Sequence, residues 1–231
     1  MRASRTPVTP PSTRARIVVV CRPADVAVPE LPQQAVAAVT AHGVPATSVV
    51  AHFLTRTRRA GTVIDRRHGR TSGGPVRLLN LDAMRGAVVS AAAAQWMSWQ
   101  RAVAGTKPAN PFWWYIGRHC ADPDKYPLAR AQADYLSQPR ILAMIAHNAL
   151  PHTPFPLPTS AVEALQAGYS AYLNIAWLAA VPGDAFVPVA GDWLTAADQR
   201  LASQLAYLSA ANAHLACLER DSAMVAVAYP R

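Results

Sequence analysis

Six arginines and a histidine crowd one short stretch of this sequence: Arg56, Arg58, Arg59, Arg66, Arg67, His68 and Arg70, with Asp65 the single acid among them. Guanidinium groups present a planar fork of donors that matches phosphate and carboxylate oxygens, so such density points to a polyanion. If the stretch runs through a hairpin, residues two apart share a face, and Arg56 and Arg58 point the same way. A ribbon of that kind can lie along a nucleic-acid backbone, giving affinity without sequence reading. The same arginines could instead pair with an acidic protein or simply be solvated.

A second constellation lies between Gly105 and Pro127, where Phe112, Trp113, Trp114 and Tyr115 are consecutive. Four adjacent aromatics on one element cannot all face one core, so at least one is expected at a surface, groove or subunit interface. Aromatics near arginine can stack on bases or anchor a protein contact, and they can equally cover the end of a helical core. His119, Cys120, Asp122 and Asp124 follow directly and include metal-ligand types. Their spacing matches no metal signature, and an aspartate capping the next helix explains them more simply. A metal-assisted enzyme built on His119, Asp122 and Asp124 therefore ranks third. His42, His147 and His214 read as helix-end or core histidines.

No Gly-x-Gly-x-x-Gly, Gly-x4-Gly-Lys-Ser/Thr, Gly-x-Ser-x-Gly or His-Glu-x-x-His pattern is present. Glutamate occurs only at positions 30, 163 and 219, too sparsely for a carboxylate di-iron bundle. No zinc-finger or RNP-type module is recognisable either. No cofactor and no metal are implied, and the balance is against an enzyme.

These side chains must be carried by elements that the same sequence specifies. With 52% hydrophobic and 15% charged residues over 231 positions, the chain can bury a core and is not of disordered composition. Its net charge of +9 is unevenly placed. Residues 1–70 hold eleven arginines against Asp25, Glu30 and Asp65, a net of +8, whereas residues 71–231 are almost neutral. Arginine, alanine and proline all have GC-rich codons, which can explain the abundance of arginine but not the scarcity of acids in one third of the chain.

The expected fold is α+β and predominantly α: a small N-terminal α/β module with a basic hairpin, then an alanine-rich helical bundle. Residues 1–15, with Arg2, Arg5 and Arg14 among prolines, read as a flexible basic tail. Residues 16–81 read as the module. Ile17–Val20 is a buried strand, Leu31–His42 a helix with Pro32 in its first turn and Gly43 at its stop, and Ser48–Thr55, Thr62–Asp65 and Pro75–Leu81 are strands joined by turns at Gly61 and Gly73-Gly74.

Residues 82–222 read as the bundle. Asp82 would cap Ala83–Ala104, whose inward face is Met84, Val88, Ala92, Trp96, Trp99 and Val103. Pro139 should separate Leu128–Ser137 from Pro139–Leu150, and Pro151–Pro158 should be extended. A Ser160/Glu163 capping box would open Ala161–Ala180, with Val162, Leu165, Tyr169, Tyr172, Leu173 and Trp177 inward. Thr195 would cap a last helix to Arg220 with a leucine stripe, leaving residues 223–231 as a C-terminal tail.

Three distant cysteines, Cys21, Cys120 and Cys217, give no disulfide framework, and the longest apolar runs fall short of the roughly 20 residues of a membrane span. The expectation is a cytoplasmic protein without membrane contact. Its leading function is non-catalytic association with DNA or RNA, within a larger nucleoprotein assembly, through the tail and hairpin arginines. The alternative is a structural or interaction subunit, or a homo-oligomer, anchored by residues 112–115.

Overall fold

A computed structural model of the chain describes residues 16–57, 59 and 61–230. The expected basic tail (1–15) and Arg58 lie outside the described residues. The fold is α+β and predominantly helical, and the chain divides into two compact units that interleave in sequence. Among the described residues, the first contains those up to Leu79, then Gly183–Trp193, then those from Glu219; the second contains Asn80–Pro182 and Leu194–Leu218.

The first unit is built on strand β1 (Arg16–Arg22), whose β-branched run Ile17-Val-Val-Val20 favours an extended backbone. Helix α1 (Leu31–Ala41) follows, then short strands β2 (Ser48–Val49), β3 (Phe53–Leu54), β4 (Arg70–Thr71) and β5 (Gly73–Pro75). Much later in the chain come β6 (Ala185–Val187) and, past the two-residue β7 (Leu194–Thr195) of the second unit, β8 (Ala223–Tyr229). In the sheet, β1 pairs antiparallel with β8 from Arg16 opposite Tyr229 to Arg22 opposite Ala223, and parallel with β6. The far edge of β8 receives both β2 and β5. Alternation along β1 and β8 puts Val18, Val20, Val225 and Val227 on one face, where Leu31, Ala35 and Val39 of α1 pack at i, i+4 and i+8. All seven are fully buried, and Leu31 and Val39 alone contribute about 2 kcal/mol each by leaving water.

Most of the expected tail 223–231 is thus a strand: Ala223–Tyr229 is buried at every position and hydrogen-bonded on both edges. Its Val-Ala-Val-Ala-Tyr alternation is a strand pattern that finds its partner some two hundred residues away. Gly73-Gly74 is not a turn either. A Cβ on Gly73 would lie 2.2 Å from the Met224 carbonyl oxygen, so only glycine allows β5 to approach β8. The expected strand Pro75–Leu81 is instead a short 3₁₀ turn, Val76–Leu78, and the next helix begins at Leu81.

In the second unit, α2 (Leu81–Ala102) is capped by Asn80, whose side chain accepts from the Ala83 amide, rather than by Asp82. Its face is as anticipated, with Met84, Ala92 and Trp99 buried, as is Val103 just past its end. Helices α3 (Phe112–Ala121), α4 (Leu128–Leu136) and α5 (Pro139–Ala149) follow, the last two separated at Pro139. The proline-rich segment 151–158 is non-helical and is pinned where Asn148 bonds both the amide and carbonyl of Leu157, at 2.7 and 2.8 Å.

The expected helix Ala161–Ala180 is two helices, α6 (Val162–Gln166) and α7 (Tyr169–Ala179). Gly168 between them has φ +101°, a conformation that breaks the ladder and turns Tyr169 and Trp177 outward. Ser160 forms no capping box. Helix α8 (Leu201–Ala216) begins six residues after Thr195, where Asp198 accepts from the Arg200 amide at 2.9 Å, and it buries Tyr207, Leu208 and Ala211 rather than a leucine stripe. The helical unit is interrupted at 183–193 and ends at Leu218, so the expected single bundle 82–222 is replaced by two interleaved segments.

Candidate nucleic-acid interface

The arginine-rich segment connects β3 to β4. Phe53 pairs with Thr71 and Leu54 with Arg70, so residues 55–69 form a long hairpin connection rather than a pair of regular strands. Arg56 lies at a bend and, among the described residues of the cluster, Arg70 alone is in a strand; the alternation expected of Arg56 and Arg58 involves a residue outside the described ones.

The connection is tied at many points. The Thr55 amide donates to the Gly69 carbonyl at 3.1 Å and the Arg56 amide to Leu78 at 2.9 Å. Threonine hydroxyls brace the backbone further: Thr55 accepts from the Thr57 amide, Thr57 from the Arg59 amide, and Thr62 donates to the Arg59 carbonyl. Val63 and Ile64 turn inward and are buried, and the Ile64 amide donates to Gly73 at 2.8 Å. The fully buried Thr71 hydroxyl donates to the Ile64 carbonyl and accepts from the Gly73 amide. Two apolar pins and a set of threonine bonds therefore hold a loop whose described charged side chains face water.

Arg56, Arg59, Arg66, Arg67 and Arg70 are all exposed. Arg59, Arg66 and Arg67 make no ion pair among the described residues. The tip is a two-residue turn in which the Arg67 and Arg70 amides each donate to the other's carbonyl at 2.8 Å. His68 and Gly69 between them have φ +49° and +79°, the left-handed pair that a type I′ turn requires. Arg67 and Arg70 are consequently direct cross-strand neighbours. Like charges so placed repel, by a few tenths to about 1 kcal/mol.

The aromatic candidates do not form one surface. They occupy the first turn of α3, where successive side chains rotate by about 100°. Tyr115 points inward against Tyr135, and Phe112 packs on Tyr135 with centroids 5.2 Å apart. The Trp113 Nε1 donates to Glu163 at 2.9 Å, and Arg200 lies over its ring. Only Trp114 is substantially exposed, at 40%, with Arg118 near its face at 5.2 Å. Arg118 also lies 4.2 Å over Tyr126.

His119, Asp122 and Asp124 do not converge. His119 Nδ1 bonds the Tyr126 carbonyl at 2.9 Å, while Asp122 accepts from the Lys125 amide and pairs with its ammonium at 3.1 Å. Among the described residues no three His, Cys, Asp or Glu side chains are grouped to hold a metal ion. Nor is any described helix long and apolar enough to cross a membrane.

Sequence reasoning missed the residues that shape the loop: Thr55, Thr57, Thr62 and Thr71, with Val63 and Ile64 as pins. A threonine every few residues through an arginine run was the available signal, because such hydroxyls satisfy turn backbones. No family model, curated protein or solved structure matches this chain.

Proposed function

We propose that this protein associates with nucleic acid without catalysing a reaction on it, as a subunit of a larger nucleoprotein assembly. One observation carries the reading: five arginines are held exposed on a braced loop whose single acid is Asp65. A solvated arginine loop needs no such bracing. Ordering a loop costs about 1–2 kcal/mol per residue in backbone entropy, so held charges are better matched to a polyanion than free ones. The three free thiols fit a reducing compartment, consistent with a cytoplasmic setting.

Fluorescence anisotropy with a short labelled oligonucleotide tests this directly. Binding at low salt that weakens steeply with added KCl is expected, and absence of binding, or binding indifferent to salt, rejects the proposal. A second reading, a protein-interaction subunit, is favoured by Trp114 together with the exposed Leu128, Leu136, Leu142 and Ile145. Its test is sedimentation: a concentration-dependent oligomer that Trp114→Ala dissociates supports it, and a monomer at all concentrations removes its homo-oligomeric form.

A further inference from the structure

We infer that the ribbon tip formed by Arg67 and Arg70 is a clamp for one phosphodiester of a double-stranded nucleic acid; the inference rests on the nucleic-acid reading above and specifies its ligand. The tip is the best-defined part of the loop. Its reciprocal 2.8 Å bonds and its left-handed His68-Gly69 pair fix Arg67 opposite Arg70, with both side chains leaving the same face of the ribbon. One donor of Arg70 is committed to the His52 carbonyl at 3.3 Å, which orients its guanidinium and leaves donors in reserve. Arg67 has no ion-pair partner among the described residues. Two cations placed directly opposite, without an acid between them, are a free-state cost that an anion seated between them removes. A phosphodiester carries one charge and two unesterified oxygens, enough to accept from both forks.

The composition of the loop then selects the strandedness. Sequence-tolerant binding of single strands relies on aromatic faces for bases to stack on. Residues 54–73 contain no Phe, Trp or Tyr, Phe53 beside them is fully buried, and the imidazole of His68 is one exposed ring where a single strand needs a succession of them. They contain no Asn or Gln to read adenine edges either. What the loop offers is rigidly placed positive charge, which suits the dense phosphates of a duplex and is indifferent to its sequence.

The test uses the full chain, a labelled duplex, each of its separated strands, and a duplex of permuted sequence, over a KCl series. The expected result is tighter binding of the duplex than of either strand at equal salt, with both duplexes bound alike. In Arg67→Thr and Arg70→Thr the slope of log K against log salt should become shallower by about 0.9, the loss of one phosphate contact. Thermal melting should show both variants no less stable than the parent when free. Melting of the parent should rise with added duplex by more than that of either variant. Equal or tighter binding of single strands overturns the duplex assignment and leaves the nucleic-acid reading standing. Unchanged slopes in both variants overturn the clamp. No binding to any of the oligonucleotides overturns the nucleic-acid reading and the inference together.

Discussion

Replacing Arg59 and Arg66 together by alanine removes two exposed cations whose side chains have no ion-pair partner among the described residues. With Arg67 and Arg70 sharing one phosphate and Arg56, Arg59 and Arg66 meeting one each, four contacts to a duplex give a slope of log K against log salt of about −3.6. Raising KCl from about 50 to about 200 mM then weakens binding about 150-fold. The double variant retains two contacts, a slope of about −1.8 and a loss of only about 12-fold over the same range. The difference of about 1.8 in slope is the quantity to read, because it is insensitive to errors in active concentration. Anisotropy titrations with one labelled duplex at several salt concentrations supply it. Arg101→Ala is the matched control, since Arg101 is also exposed but lies on a helix, where its guanidinium donates to the Met97 carbonyl. Melting temperatures should be unchanged in all three proteins. A slope that does not move in the double variant, or that moves as much in Arg101→Ala, refutes the assignment of binding to this loop.

Gly73→Ala places a methyl 2.2 Å from a backbone oxygen of β8, so it should cost about 3 kcal/mol or more and lower the melting temperature by roughly 6–12 °C. Of the three thiols, Cys120 and Cys217 are exposed while burial pushes Cys21 up to about 12, so a thiol reagent at neutral pH should titrate two groups quickly and the third only on unfolding. Glu163→Ala leaves the Trp113 ring N–H and the Leu201 amide without their acceptor, and should cost about 2 kcal/mol with a shift in tryptophan emission. A fragment of residues 16–81 lacks β6 and β8 and should show neither cooperative melting nor protected amides, whereas a folded fragment would contradict the sheet order.

The elements legible in the sequence were those whose determinants are local. Ile17–Val20 has the β-branched density of a buried strand, Gly43 at φ +73° ends α1, and Pro139 divides two helices because it lacks the amide to continue one. The failures share one cause, a distant partner that changes what a local pattern means. Gly73-Gly74 reads as a turn until β8 is known to pass within contact of it. Ser160 and Glu163 read as a capping box, yet Glu163 is claimed by Trp113 and by the start of α8, fifty and thirty-eight residues away. The alternating segment Ala223–Tyr229 looks like an ending because nothing nearby pairs with it.

The arginine loop divides along the same line. Its charge was plain in the sequence, and the exposure of Arg56, Arg59, Arg66, Arg67 and Arg70 agrees with it. Its presentation was not, because an assumed strand alternation stood in for a structure held by threonines and two apolar pins. Those pins also join the loop to the sheet. Ile64 exchanges backbone bonds with Ser72 and Gly73, and the Ser72 carbonyl accepts from Ala226 of β8 at 2.8 Å. Gly73 sits at that junction and carries no charge. The amount of positive charge and its placement are therefore separable: Arg59→Ala/Arg66→Ala lowers the first and leaves the second, while Gly73→Ala disturbs the second and leaves the first. If rigid placement matters, Gly73→Ala weakens duplex binding below its own melting temperature with every arginine still present. If charge alone matters, it binds as the parent does, and the bracing of the loop has some other reason.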